Sequence, residues 1–194
     1  IPPISGDPSP TPTITPTPTI NPTLAPNTTG VVFYVSVPGV GPSKNANPRR
    51  TNREVKVFLY NPETDQIVTT TTAVLTYDPT AGTYKSAVNL SSVPVRSYYF
   101  KIKLDNSLIR RIPGIQTLTS GQLTFISSPV SVLTGDIYSD DSGNVIDLKD
   151  YNALLSCYEK PCSLGMLADL NENSTVNSAD LNILLRALAT RQGD

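Results

Sequence analysis

The 194-residue chain has no His, no Trp, one Met and two Cys, and its 15 basic and 16 acidic side chains nearly cancel. Without His, imidazole-based acid/base catalysis, Ser-His-Asp and Cys-His nucleophiles and imidazole metal ligation are all excluded. The balanced charge, with a sequence pI near 5.4, gives no footprint for nucleic acid or an anionic membrane.

Residues 1–29 come first, and nine of the 18 prolines fall within the first 26 positions. A Thr-Pro alternation of this kind cannot build its own core and reads as an extended polyproline-II tether, reaching on the order of 80–90 Å at about 3.1 Å per residue. It also has a second reading. Pro10, Pro12, Pro16, Pro18, Pro22 and Pro26 all occupy even positions, so an extended strand would lose its donors along one edge only. Thr11, Thr13, Thr15, Thr17 and Thr19 keep their donors on the other edge, and Ile14, Ile20 and Leu24 supply apolar anchors. Such a segment can add to the sheet of a neighbouring subunit, giving self-association through the tail.

Residues 30–134 change to β-branched and aromatic runs separated by turn residues. The runs are Val31–Val37, Glu54–Tyr60, Gln66–Tyr77, Gly82–Leu90, Ser97–Leu104, Leu108–Ile115 and Gly121–Leu133. Val55, Val57 and Leu59 alternate with Lys56 and Phe58, and Tyr98, Phe100, Ile102 and Leu104 alternate with Tyr99, Lys101 and Lys103. Asn61–Asp65 and Asp78–Gly82 are turn chemistry. About seven short strands with short turns predict an antiparallel β-sandwich. In strand order it resembles the immunoglobulin-like (Ig-like) or prealbumin-like modules of bacterial surface proteins.

Residues 135–194 carry acidic loops followed by helical patterns, giving a mainly β chain with a small α module. Asp150-Tyr-Asn-Ala-Leu-Leu aligns with Asp180-Leu-Asn-Ile-Leu-Leu, an internal repeat in which each copy follows an oxygen-rich loop. Numbered from Asp169, side-chain oxygens fall at places 1, 3, 5, 9 and 12 (Asp169, Asn171, Asn173, Asn177, Asp180), with the Thr175 carbonyl at 7. That spacing lets a 12-residue loop wrap a hard cation such as Ca²⁺, which takes six to eight oxygens. Val176 at place 8 is the apolar plug. The first loop, Asp136 to Asp150, is three residues longer. One register uses Asp136, Tyr138, Asp140, the Val145 carbonyl, Asp147 and Asp150; a rival counts back from Asp150, takes Asp141 and drops Asp136. The alternative to metal ligation is that Asp147, Asp150, Asn177 and Ser178 are helix N-terminal signals.

The stripes Tyr151, Leu154, Leu155, Tyr158 and Leu181, Leu184, Leu185, Leu188 predict two short helices with a thin core. Ions that bind only the folded state would then stabilise this unit, so chelation is expected to melt residues 135–190 and leave the sandwich standing. Cys157 and Cys162 close a disulfide across a Pro-containing spacer or remain two buried thiols; zinc is excluded for want of ligands.

This loop–helix pair resembles a type I dockerin, a duplicated EF-hand-like module, over about 60 residues including Gly135-Asp136. Ser174 stands where that family has Gly. The resemblance implies two Ca²⁺ sites and docking onto a receptor or adjacent domain. Dockerins read their cohesin receptors through loop places 10 and 11, here Leu148-Lys149 and Ser178-Ala179 rather than a Ser-Thr pair, so cohesin recognition itself does not carry over. The Thr-rich composition and three glycosylation-type triplets (Asn27, Asn89, Asn173) suit an extracellular or cell-surface, secreted protein. A chain opening on Ile1 rather than Met fits a processed one.

The leading expectation is a non-catalytic structural subunit of a filament or surface assembly, stabilised by calcium and joined through its tail. Docking through the dockerin-like module is the alternative. A carbohydrate-binding sandwich comes last, because no acidic pair is placed as a glycosidase dyad and Tyr98 and Tyr99 face opposite ways. No run approaches the roughly 18–20 apolar residues of a membrane span, so no membrane insertion is expected.

Overall fold

The computed structural model describes residues 24–25, 27–138, 144–190 and 193–194. Strand β1 (Gly30–Ser36) is followed by β2 (Asn52–Tyr60), which returns as β3 (Ile67–Asp78) through the Asn61–Asp65 turn. There Asn61 Oδ1 accepts the Glu63 N–H at 2.9 Å and Asp65 takes a φ of 56°. β3 turns into β4 (Thr83–Asn89) where Asp78 Oδ1 accepts the N–H groups of Thr80 and Ala81 at 2.9 and 3.2 Å. β5 (Ser97–Leu104), β6 (Arg110–Arg111), β7 (Gln116–Thr117), β8 (Leu123–Phe125) and β9 (Val130–Ser131) complete the strands of the described residues.

The strand order is β6-β5-β2-β3-β4-β1-β8, with β7 on β5 and β9 on β1. β3 pairs with β2 from Ile67 to Thr76 but with β4 only from Thr76 to Asp78, so it is shared by two layers at one corner. Val55, Val57 and Leu59 of β2 and Phe100, Ile102 and Leu104 of β5 thereby meet Val31, Phe33 and Val35 of β1 and Tyr84 and Val88 of β4 in one core. This is a β-sandwich, and the period-2 alternation of β2 and β5 is what fills it.

The sheet is not wholly antiparallel as expected: β8 and β9 both run parallel to β1, with Gly30 opposite Leu123 and Val35 opposite Val130. The expected Gly121–Leu133 strand is broken at Ser127-Ser128-Pro129, where proline has no N–H to give a ladder. The expected Leu108–Ile115 strand shrinks to two residues because Pro113-Gly114, with Gly114 at φ 83°, turns the chain away.

Helix α1 (Leu148–Cys157), a short α2 (Gly165–Ala168) and α3 (Ser178–Thr190) follow, and Cys157 is disulfide-bonded to Cys162 with Cα atoms 5.1 Å apart. Ala153, Leu154, Cys157, Leu184 and Ala187 form the buried faces of α1 and α3. Leu155 and Leu185 depart from the expected stripes, being 39% and 47% exposed. Each helix is covered on one side only, so Leu154 and Leu184 are fully buried while the second leucine of each pair is left outside. Val176 and Ile146 sit together in this second core, which also takes Leu108 from the strand region. No helix among the described residues is long and apolar enough to cross a membrane.

Gly39, between β1 and β2, lies where the two parts touch. A Cβ there would stand 2.6 Å from Asn171 Cβ and 2.8 Å from Ile183 Cδ1, and its φ is 80°. Only glycine permits that approach.

Candidate metal centre

The second loop is built from side chains that fold back on their own backbone. Asp169 accepts the N–H groups of Asn173 and Ser174 at 3.0 and 2.8 Å, Asn171 that of Asn173 at 3.1 Å, and Asn173 that of Thr175 at 3.0 Å. Asn177 accepts from Ala179 at 2.8 Å. Asp180 opens α3 and spans the loop: one carboxylate oxygen accepts the Asn177 N–H at 3.0 Å and the other the Asn171 N–H at 3.0 Å. The loop's tight winding puts Glu172 and Ser174 at φ 60° and 76°. Ser174 therefore adopts the left-handed turn that glycine would make at less cost.

Asp169, Asn171 and Asp180 are buried, while Asn173 and Thr175 are exposed and Asn177 is half-buried. Burial pushes the Asp169 carboxyl above its ordinary value; the N–H groups of Ser174 and Asn173 oppose this, while the charges of Asp180 and Glu172 reinforce it. Among the described residues no ion pair engages Asp169 or Asp180. No group of three or more acidic or Cys side chains that could hold a metal ion is found among the described residues.

The first loop repeats the frame. Asp150 accepts the Asp147 N–H at 2.9 Å, as Asp180 does for Asn177, and Asp147 caps Lys149 at 2.7 Å. The other carboxylate oxygen of Asp150 accepts the N–H groups of Ile137 and Tyr138 at 2.8 and 2.9 Å. Tyr138 thus holds the place that Asn171 holds in the second loop, which aligns Asp136 with Asp169. A plain helix cap would account for the bonds to residues 147 and 177, but not for the bonds reaching back across each loop. Burial pushes the Asp150 carboxyl upward, opposed by the N–H groups of Asp147, Tyr138 and Ile137 and assisted by the charge of Asp136. Asp136 itself meets Lys103 Nζ of β5 at 2.6 Å. Val145 is half-buried beside Ile146; Asp140 and Asp141 lie outside the described residues.

The sequence did not single out the residues that fasten the second loop to the sandwich. Glu172, at loop place 4, is buried with its carboxylate 2.8 Å from Arg53 Nη1 and 3.0 Å from Arg50 Nη2. Arg53 also donates to Asp105 and, at 2.7 Å, to Asn106 Oδ1. Asn45 Nδ2 donates to the carbonyls of Asn171 and Glu172 at 2.9 and 2.7 Å, and Asn106 Nδ2 to that of Leu167 at 3.0 Å. The one local hint was a carboxylate at a loop place that ligates nothing.

Of the tail residues, Thr11, Thr13, Ile14, Thr15, Thr17, Thr19 and Ile20 lie outside the described residues, and Leu24 is half-buried. Along the outer side of α1 and α3, Val145, Leu148, Tyr151, Leu185 and Leu188 line a groove of about 550 Å³.

The sequence matches no family model and no curated protein. Its fold is similar to that of a chain in two crystal structures of a type II cohesin–X-dockerin complex from Acetivibrio cellulolyticus, one a C-terminal and the other an N-terminal interface mutant. Each match has a TM-score of 0.54 and 20% identity, covering 82% of this chain and 94% of the other. That share is more than residues 1–134 contain, so the likeness extends into residues 135–194. The β-sandwich is thus similar in fold to one found in a cohesin–dockerin assembly.

Proposed function

We propose that this chain is a non-catalytic, calcium-organised component of an extracellular surface assembly, in which an Ig-like sandwich carries a dockerin-like docking unit. The observation that carries the reading is the pair Asp169 and Asp180: two buried carboxylates in one loop, satisfied by N–H donors yet facing no cationic side chain among the described residues. Buried charge needs a counter-charge, and each oxygen keeps a lone pair free for a divalent ion. Asp169, Asn171, Asn173, the Thr175 carbonyl, Asn177 and Asp180 would hold one Ca²⁺. Asp136, Asp140, the Val145 carbonyl, Asp147 and Asp150 would hold the second.

Such ions fix the loops and so orient α1 and α3, whose groove then meets a partner protein. Leu148, 69% exposed at the mouth of that groove, is the anchor. The likeness to assemblies of cohesin with X-dockerin supports docking over other surface roles. A sugar platform on Tyr99 is disfavoured, since its ring is stacked on Tyr60 at 4.8 Å and covered by Arg111 at 4.1 Å. The test is biosensor binding of the calcium-loaded chain to a type II cohesin, repeated with EDTA and with Leu148→Glu. Binding lost under both conditions supports the reading; calcium-independent binding, or none, counts against it.

The filament reading keeps one supporting observation. β6 and β8 end the strand order, so two sheet edges have no strand partner among the described residues. Deleting residues 1–26 and imaging the product tests it, and polymers surviving the deletion would exclude the tail as connector.

A further inference from the structure

We propose that Lys103 is a tethered cation of the first loop, occupying charge space that a metal ion would otherwise fill, so that the two loops bind calcium unequally. This rests on the calcium reading above. Both loops place an acid pair at their first and last positions, Asp136 with Asp150 and Asp169 with Asp180. Among the described residues, only the first pair forms an ion pair with a basic side chain. Lys103 Nζ lies 2.6 Å from Asp136 Oδ2, whereas Asp169 and Asp180 have no ion pair among the described residues.

The strand register holds the ammonium there. Lys103 stands directly opposite Lys56 in the β2–β5 ladder, and Lys101 lies two residues away on the same face. Swinging away from Asp136 would bring Lys103 back toward two like charges. A divalent ion arriving at Asp136 must therefore either displace this ammonium or bind beside it. At a separation of about 5 Å in a water-like dielectric, that repulsion lowers affinity about tenfold.

The test is a calcium titration of the full chain followed by amide NMR, in which the Tyr138 N–H reports the first loop and the Ser174 N–H the second. In the wild type, Ser174 should reach its bound position at lower calcium than Tyr138. In Lys103→Gln the Tyr138 midpoint should fall about tenfold, with the Ser174 midpoint unchanged within about twofold. Lys103→Met, which keeps the apolar stem, should behave the same way. Lys101→Gln, which removes an equal charge lacking the contact with Asp136, should shift Tyr138 less. A Tyr138 midpoint that stays put or rises in both Lys103 variants would overturn the proposal. So would an equal shift in Lys101→Gln. If neither amide responds to calcium in any of these proteins, the calcium reading itself fails and this inference falls with it.

Discussion

Arg53 and Glu172, 119 residues apart in sequence, form a buried ion pair of 2.8 Å in which each side chain is 1% exposed. One belongs to strand β2 of the sandwich and the other to the second loop. Truncating one member leaves the other charge buried with reduced compensation. Arg53→Ala and Glu172→Ala should each cost about 3–5 kcal/mol, read as the loss of unfolding free energy in urea. The double variant should cost less than the sum of the two, because the penalty of an orphaned charge is then removed. Additive losses would mean that the pair is not coupled.

The same contacts revise the expectation for chelation. From sequence, removing calcium should melt residues 135–190 and leave the sandwich untouched. With Arg50, Arg53, Asn45 and Asn106 all bonded to the second loop or its approach, the sandwich should lose stability as well. A melt in EDTA should show the helical signal going first and the strand signal following at a lower temperature than in calcium. The strand shift should be about 4–8 °C for each kcal/mol of interface lost. An unmoved strand transition would show that the two parts are energetically separate.

The disulfide ties the C-terminal end of α1 to the residues preceding α2, with a sequence separation of 5 between Cys157 and Cys162. A loop this short restricts the unfolded chain only modestly. Cys157→Ser with Cys162→Ser should cost about 2 kcal/mol, checked by denaturant unfolding of the calcium-loaded protein.

Alkaline pH should act through Tyr99. Burial first, then the hydrogen bond to Asp65 and that residue's charge, push its phenol up to about 12, while Arg111 opposes the shift. The folded value lies above the ordinary 10.0, so the fold favours the neutral phenol. Its contribution is complete below about pH 10 and is lost as pH rises through about 12. An ultraviolet titration should show several late-ionising tyrosines, Tyr77 and Tyr84 being raised as well, of which one moves to lower pH in Asp65→Asn and one is lost in Tyr99→Phe.

Much of the sandwich was legible because alternation is a local signal. Ser97–Leu104 was read to its ends, with Tyr98, Phe100, Ile102 and Leu104 inward as found. The parallel placement of β8 and β9 was not legible, since period-2 patterning says nothing about strand direction. The repeat at Asp150 and Asp180 pointed to both loop frames because matched spacing survives without any tertiary information. It gave no hint of Lys103 or Arg53, whose partners Asp136 and Glu172 are distant in sequence. Leu155 and Leu185 were read as core because a helical stripe does not reveal which flank of a thin unit remains uncovered.

The most direct test of the account is calorimetric titration of the full chain with calcium. Two ions per chain should bind, falling to one in Asp180→Ala, with the remaining site tightened by Lys103→Gln. A flat titration, or one unaffected by loss of Asp180, would contradict a calcium-organised module.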